Sequence, residues 1–432
     1  MTSGPRRSSW RFLLGINIFW LPLSFLSDGF TALVLPFDLA ELGPDWRATV
    51  LGLVSFAGLA VAILVQPWAG VFSDLTRHAW GRRATMGLGV ALALPGFALY
   101  AKGGLVPVCA GYVLIMTAAS VSQGGLQGLI PDLVPLSRRG LASGFKGFMD
   151  LSGAILAYVF LGSLLGSQGS GAAVGWSAAL LAGGFVVTAL VVKEPRTPGG
   201  ASISSALRTL RRMDNPFRVN LRAHPVFGWL VAARFLFLLG AFIVGRFFLF
   251  FVEDRLGLGR DDAATQAGVL LGLLTLVSII AGPAGGWMAD RRGRLRVMRA
   301  GAALSAVGIV LLTIAGSAWH ILLFGGLMAV GSGIFSAGNW AYTADVIPGP
   351  EAARYFGVAN VGTMGAAAVA GLAGPLVDTG NRWSDGLGYQ AALVLAAAVT
   401  LGGYFAVRRI QDRADGSSGR SGDPVTEWTS AD

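Results

Sequence analysis

Residues 281–294 read Ala-Gly-Pro-Ala-Gly-Gly-Trp-Met-Ala-Asp-Arg-Arg-Gly-Arg, and residues 66–74 read Gln-Pro-Trp-Ala-Gly-Val-Phe-Ser-Asp. Pro67, Gly70 and Asp74 of the second stretch recur as Pro283, Gly286 and Asp290 of the first, each 216 positions later. Outward from these segments the coincidence continues. Asp132 and Pro135 recur as Asp345 and Pro348, and Gly144 as Gly357, at an offset of 213, while Leu42-Gly43 recurs as Leu256-Gly257 at 214. Markers repeated at nearly constant spacing mean that the chain holds two copies of one unit, diverged by insertions of a few residues.

Each copy is built for lipid. The 432 residues are 54% hydrophobic and 13% charged, against about 25% charged in an average soluble chain. A spanning helix needs about 20 apolar residues, and the uncharged stretches supply twelve. Six precede a polar linker: 12–36, interrupted only by Asp28, then 48–72, 84–101, 105–131, one from near Leu141 and one from Val174. Six follow it: 226–251, 266–289, 299–316, 320–344, 355–377 and 389–407. The expected fold is all-α and integral to the membrane, with a six-helix bundle over 1–192, a cytoplasmic linker over 193–225, a second bundle over 226–409 and a disordered cytoplasmic tail over 410–432. The linker carries seven basic residues, two acidic ones and the breakers Pro195, Pro198, Gly199 and Gly200, too polar a run to cross a bilayer. The first apolar stretch is too long for a signal peptide, and no small-residue cleavage site follows it. The 63 glycines have no fixed period, which excludes a collagen-like chain and suits helices packed closely in lipid.

Charge placement orients the spans. With the N-terminus in the cytoplasm, 25 of the 33 Lys and Arg residues fall on the cytoplasmic side, five (Arg47, Lys102, Arg255, Arg260, Arg382) fall opposite, and three lie within spans. The positive-inside bias therefore puts both termini in the cytoplasm, in agreement with an even number of spans. The net charge of +10 reflects this topology. No basic patch interleaved with aromatics points to nucleic acid. Enzyme chemistry finds no support: there is no G-x-x-x-x-G-K-[ST] loop, no H-E-x-x-H, and only three histidines, His78, His224 and His320, all in connections. Cys109 is the sole cysteine and sits in an apolar run, so one chain can form neither a disulfide framework nor a thiolate metal site.

Gly286, Asp290, Arg291, Gly293 and Arg294 form G-x-x-x-D-R-x-G-R, which resembles the loop motif of the major facilitator superfamily. The resemblance covers essentially the whole chain and implies the major facilitator fold of two six-helix repeats. Repeats of like topology place a substrate site between the halves near mid-membrane. In the first half the motif is stretched, with Gly70, Asp74, then Gly81, Arg82 and Arg83. A stretched loop of this kind resembles the glycoside-pentoside-hexuronide:cation symporters and the sucrose-proton symporter group. A glycine one turn before the loop is expected to let helices approach closely, and the aspartates, joined by Asp132 and Asp345, to accept from the arginine clusters and bias which way a cavity faces.

Ionisable groups at bilayer depth cost about 2.5 to 3.5 kcal/mol each on the insertion scale, so each calls for a partner or a wet cavity. Five qualify: Asp28 in span 1, Lys146 and Asp150 four apart in span 5, and Arg234 and Arg246 in span 7. The offset of 214 maps Asp28 onto Phe242, one helical turn from Arg246, so Asp28 and Arg246 are expected to face each other, with Asp28 either coupling to an ion or forming a structural pair. Lys146 and Asp150 either neutralise one another or join a solute and cation site, as the resemblance implies. Span 2 has no carboxylate before Asp74, a departure from the melibiose-type pattern of the resembled symporters, in which an acid pair there would hold sodium; the resemblance therefore implies a proton as the coupling ion. Asn17, Trp20, Gln123, Gln127, Asn339, Tyr342 and Asn360 complete the candidate solute contacts, a set of amides and aromatics compatible with a glycoside.

The function expected from the resemblance is secondary active transport by alternating access, as proton symport of a small polar solute such as a sugar or glycoside. The alternatives are proton-coupled efflux of amphipathic compounds and a non-transporting assembly factor of the same fold. The expected partners are the lipid bilayer of a plasma (inner) membrane and a small-molecule substrate, with no cofactor, no metal and a monomeric protein.

Overall fold

The computed structural model describes residues 10–42, 44–135, 138–192, 224–347 and 352–418, and every regular element among them is helical. Twelve helical segments there are long and apolar enough to cross a membrane. In chain order spans 1 to 6 are Trp10–Leu42, Arg47–Thr76, Arg82–Tyr100, Leu105–Leu133, Arg139–Gln168 and Ser170–Val191. Spans 7 to 12 are Pro225–Arg246, Arg260–Arg292, Arg294–Leu312, Ala318–Thr343, Gly357–Trp383 and Leu387–Ile410. Most of the expected linker, residues 193–223, lies outside the described residues, as does the tail from 419. The last helix continues to Ser418, so 410–418, expected in the disordered tail, is helical.

Most spans outrun their uncharged stretches, because intrahelical hydrogen bonds continue where side chains turn polar at the membrane surface. The stretched loop of the first half has the same origin. The second helix ends at Trp80, six residues after Asp74, whereas its counterpart ends at Arg292, two after Asp290. The four extra residues are one more turn of helix, not a longer loop. In both copies a single glycine then makes the corner, Gly81 at φ 76° and Gly293 at φ 89°, a region that only glycine enters without strain. Both long helices also keep their proline, Pro67 and Pro283.

The described chain divides into two compact units, one holding residues up to 214 together with 246–272, the other 215–245 together with 273 onward. The division differs from bundles of 1–192 and 226–409: Arg246–Gly272 packs with the first unit. Glycines explain part of this. A Cβ on Gly162 would come 2.8 Å from the Ala264 carbonyl oxygen and 3.0 Å from the Gly268 Cα, so spans 5 and 8 touch backbone to backbone there. Crossed ion pairs supply the rest. Arg47 reaches Glu253 at 3.0 Å and Asp254 at 2.5 Å, and Arg260 reaches Glu41 at 2.6 Å and Asp38 at 3.8 Å. Arg47 and Arg260 are 213 apart and begin spans 2 and 8, so each arginine takes the acids preceding the other. Burial raises the Glu253 carboxyl above its ordinary range against the pull of Arg47. As the pH falls, Glu253 therefore loses its charge, and with it the Arg47 ion pair, earlier than an exposed glutamate would.

Within each unit a glycine seam joins the third and fourth helices of the repeat. A Cβ on Gly89 or Gly96 would overlap span 4, and one on Gly301 or Gly308 would overlap span 10. These glycines correspond at an offset of 212, so the seam is a duplicated feature. Ser122 donates to the Met86 carbonyl at 3.0 Å across the first seam and Ser305 to the Met328 carbonyl at 2.8 Å across the second.

Candidate functional site

In the first unit, span 1 departs from α-helical pitch over Phe25–Val34, where it widens to a π-helix with Asp28 in its first turn. Such widenings occur often at functional positions. Span 5 approaches this stretch closely. A Cβ on Gly153 would overlap the Leu21 carbonyl, and one on Gly29 would come 2.6 Å from the Ala157 Cβ.

That approach brings the polar faces of spans 1 and 5 together. Trp20, Ser24 and Asp28 stand four apart on one face, as do Lys146 and Asp150 on the other. Ser24 Oγ donates to Asp150 Oδ1 at 2.5 Å, Lys146 Nζ lies 3.4 Å from Asp150 Oδ2, and the same ammonium sits 4.0 Å from the centre of the Trp20 ring. Asp28 makes no hydrogen bond or ion pair among the described residues, and its charged neighbour is the Asp150 carboxylate. The cluster thus holds two carboxylates against one ammonium, which leaves a net negative position for a proton or cation.

Arg246 belongs to this unit by packing, but its side-chain hydrogen bond runs to Tyr112, with Tyr158 also in electrostatic reach. Tyr158 lies in electrostatic reach of both Asp28 and Arg246. Tyr112 also bonds Thr31 on span 1 at 3.0 Å. Asn17 is fully buried and donates to the Leu13 carbonyl at 2.8 Å and the Ala142 carbonyl at 3.2 Å, which fastens span 1 to span 5. Gln123 accepts from Gln66 at 3.0 Å. Gln127 does not continue its face: it caps the helix that ends at Leu126 and is exposed.

In the second unit Arg234 is 7% exposed. Its Nε donates to Thr363 Oγ1 and its Nη1 to Asn339 Oδ1, both at 2.7 Å, and its guanidinium lies 4.0 Å from the centre of the Trp340 ring. Tyr342 packs against the core of Leu230, Phe237, Met298 and Phe335. Asn360 is half-buried on the helix that carries Thr363.

The loop-motif residues divide in an instructive way. Arg82, 5% exposed at its side chain, bridges Asp132 at 2.7 Å and Asp74 at 2.6 Å, with Ser73 at 3.5 Å. Its repeat equivalent Arg294 pairs with Asp345, donates to the Ala341 carbonyl at 2.7 Å and is 28% exposed. Arg83 donates to the Ala189 carbonyl at 2.7 Å, and Arg291 lies over Trp287. The glycines expected to permit close approach are not the motif ones. Gly286 has open space around its Cβ position and Gly70 only an ordinary 3.8 Å contact, whereas Gly285 meets the Ile334 Cα at 2.6 Å and Gly124 meets the Gly70 nitrogen at 2.7 Å. Neighbouring glycines therefore carry the close contacts.

One determinant escaped the sequence. A Cβ on Gly128 would fall inside the Arg82 guanidinium, although Gly128 has φ −78°, a conformation any residue adopts. Its role is space alone, and position 341, its counterpart at an offset of 213, is alanine. Gly128→Ala is expected to lower stability by about 1–3 kcal/mol, the usual cost of overpacking, read as a lower thermal unfolding midpoint in detergent. An unchanged midpoint would show that Arg82 moves aside freely.

Comparison with known proteins agrees with this architecture. Magnetosome protein MamZ of Magnetospirillum gryphiswaldense is 26% identical over 355 residues, 78% of this chain and 52% of MamZ. Multidrug resistance protein MdtG of Escherichia coli is 25% identical over 194 residues, 44% of this chain and 45% of MdtG. The chain thus spans about half the length of the curated relatives it matches. Among solved structures, the POT family transporter PepTSo superposes with a TM-score of 0.72 at 13% identity, over 96% of this chain and 99% of that one, a likeness of fold. The Major Facilitator Superfamily model matches residues 14–282 and 262–431, so the chain belongs to the Major Facilitator Superfamily.

Proposed function

We propose that the chain is a secondary active transporter that moves a small polar solute, such as a sugar or glycoside, by alternating access in symport with protons. The observation that carries this reading is the cluster on spans 1 and 5. It sets an aromatic ring, an ammonium and a hydroxyl-bonded carboxylate beside Asp28, a second carboxylate with no bonding partner among the described residues. A ring with polar groups beside it suits a solute with one apolar face and hydroxyls at its edge. Asp28 supplies a group that a proton can neutralise. The protein sits in the plasma membrane, and the 25-to-5 distribution of basic residues supports a cytoplasmic position for both termini.

Proteoliposomes under an imposed inward proton gradient, with a sodium gradient in parallel, test the reading on a panel of labelled mono- and disaccharides and their acidic derivatives. Proton-driven accumulation of one member is expected. Its absence under both gradients would overturn the symport reading. The second reading, efflux of amphipathic compounds, draws support from the multidrug resistance protein among the relatives, and predicts drug-stimulated proton leakage from the same vesicles.

A further inference from the structure

The second unit holds a guanidinium that no described carboxylate neutralises. Among the described residues no carboxylate pairs with Arg234, although its side chain is more than nine-tenths buried. Two neutral acceptors and one ring face are its partners. A guanidinium has five N–H donors and no acceptor, and Thr363 and Asn339 take one each. Three remain. A buried cation that keeps its charge without a counter-ion is costly, and breaking such a pair is usually among the most damaging changes a protein suffers.

A second group makes the same demand. Asn339 is 1% exposed, and its Nδ2 has no hydrogen-bond partner. Its orientation follows from chemistry: Oδ1 must face Arg234 to accept from Nη1, which leaves the amide nitrogen for another acceptor. Arg234 and Asn339 thus present N–H donors in excess with no acceptor among the described residues, and Trp340 flanks the guanidinium. Donors in a planar fork beside a second amide match a group with two or more negatively charged oxygens.

The geometry points to an anion subsite formed by Arg234 and Asn339, with Thr363 and Trp340 fixing the guanidinium, that receives a carboxylate or phosphate on the transported solute. The inference rests on the transporter reading for the identity of that ligand and narrows the substrate class from polar solutes to polar solutes with an anionic group, such as an acidic sugar. A neutral sugar would leave the guanidinium and the Asn339 amide unanswered. The same chemistry is offered by the headgroup of an anionic lipid, and the test separates the two sources.

The measurement is thermal unfolding and equilibrium binding of the purified full-length protein, first in neutral detergent with glucuronate, inorganic phosphate or glucose. Glucuronate or phosphate is expected to raise the unfolding midpoint, and glucose to leave it unchanged. Arg234→Gln should weaken the anion by about 10- to 100-fold, the range expected for losing a charge-assisted hydrogen bond. Because that variant leaves Asn339 and Thr363 without their donor and could unfold, Asn339→Asp is the companion. It gives Arg234 an internal carboxylate, keeps the fold and should abolish the response to anions. The second arm uses nanodiscs of phosphatidylcholine with and without phosphatidylglycerol. Stabilisation by phosphatidylglycerol in the wild type but not in Asn339→Asp, with no response to soluble anions, would keep the subsite and assign it to lipid. No response of the wild type to any anion, or an equal response in Asn339→Asp, would overturn the subsite. These readouts need no gradient, so a failure here is distinct from a failure of transport in vesicles.

Discussion

Asp28→Asn is expected to abolish gradient-driven accumulation while leaving solute exchange across the membrane intact. A titratable group couples transport to protons only if its protonation changes during the cycle, and an amide cannot change. A tenfold proton gradient is worth 1.36 kcal/mol per proton, so one-to-one symport can concentrate solute about tenfold for each pH unit imposed. The variant should bring that ratio to about 1, with counterflow preserved because the proposed solute-binding group of Trp20, Lys146 and Asp150 keeps its own contacts. The alternative is that Asp28 serves only structure. Its lack of a bonding partner among the described residues argues against that, since removing a charge nothing depends on should stabilise the span rather than disturb it. Asp150→Asn is the control. Asp150 accepts from Ser24 and pairs with Lys146, so its loss frees the ammonium and should impair exchange as well as accumulation. Normal accumulation by Asp28→Asn would remove the coupling role from span 1.

The sequence carried the outline of this cluster because charge in an apolar run is conspicuous, and Asp28, Lys146 and Asp150 all stand out that way. It did not carry the residues that finish the cluster. Ser24, Thr31, Tyr112 and Tyr158 have hydroxyls, which membrane helices satisfy on their own backbone, as Ser27 does on the Leu23 carbonyl at 2.8 Å. Nothing in composition marks the hydroxyl that instead reaches another helix. Ser24 alone had a signal, halfway between Trp20 and Asp28 at helical spacing. The π-helical stretch had none, although it lies where span 1 runs close against span 5 at Gly29. The duplication shows a similar limit. Its offsets of 216 and 213 reveal an insertion between Asp74 and Asp132, but a polar insertion reads as a loop from sequence whether it is a loop or one further helical turn.

The two loop arginines give the second large effect, because one insertion and one glycine have made repeat equivalents unequal. Arg82 is buried, serves two carboxylates and occupies the space over Gly128. Arg294 is 28% exposed and pairs with a half-exposed Asp345. Removing one member of a buried pair costs about 3–5 kcal/mol, while an exposed pair contributes about 0.2–1 kcal/mol. Asp74 is 60% exposed and solvent screens it, whereas Asp132 at 27% leaves Arg82 most of its buried contribution. Arg82→Gln should therefore cost about 3 kcal/mol, the low end of the buried range, and Arg294→Gln less than about 1 kcal/mol. Thermal midpoints in detergent measure both. Single changes of the carboxylates divide the effect: Asp132→Asn should reproduce most of it and Asp74→Asn little. Equal costs for Arg82→Gln and Arg294→Gln would mean that both loops are held by something other than these ion pairs. The expected inequality would mean that the first repeat is locked more firmly than the second, so that any opening of the loop ends begins at Arg294 and Asp345.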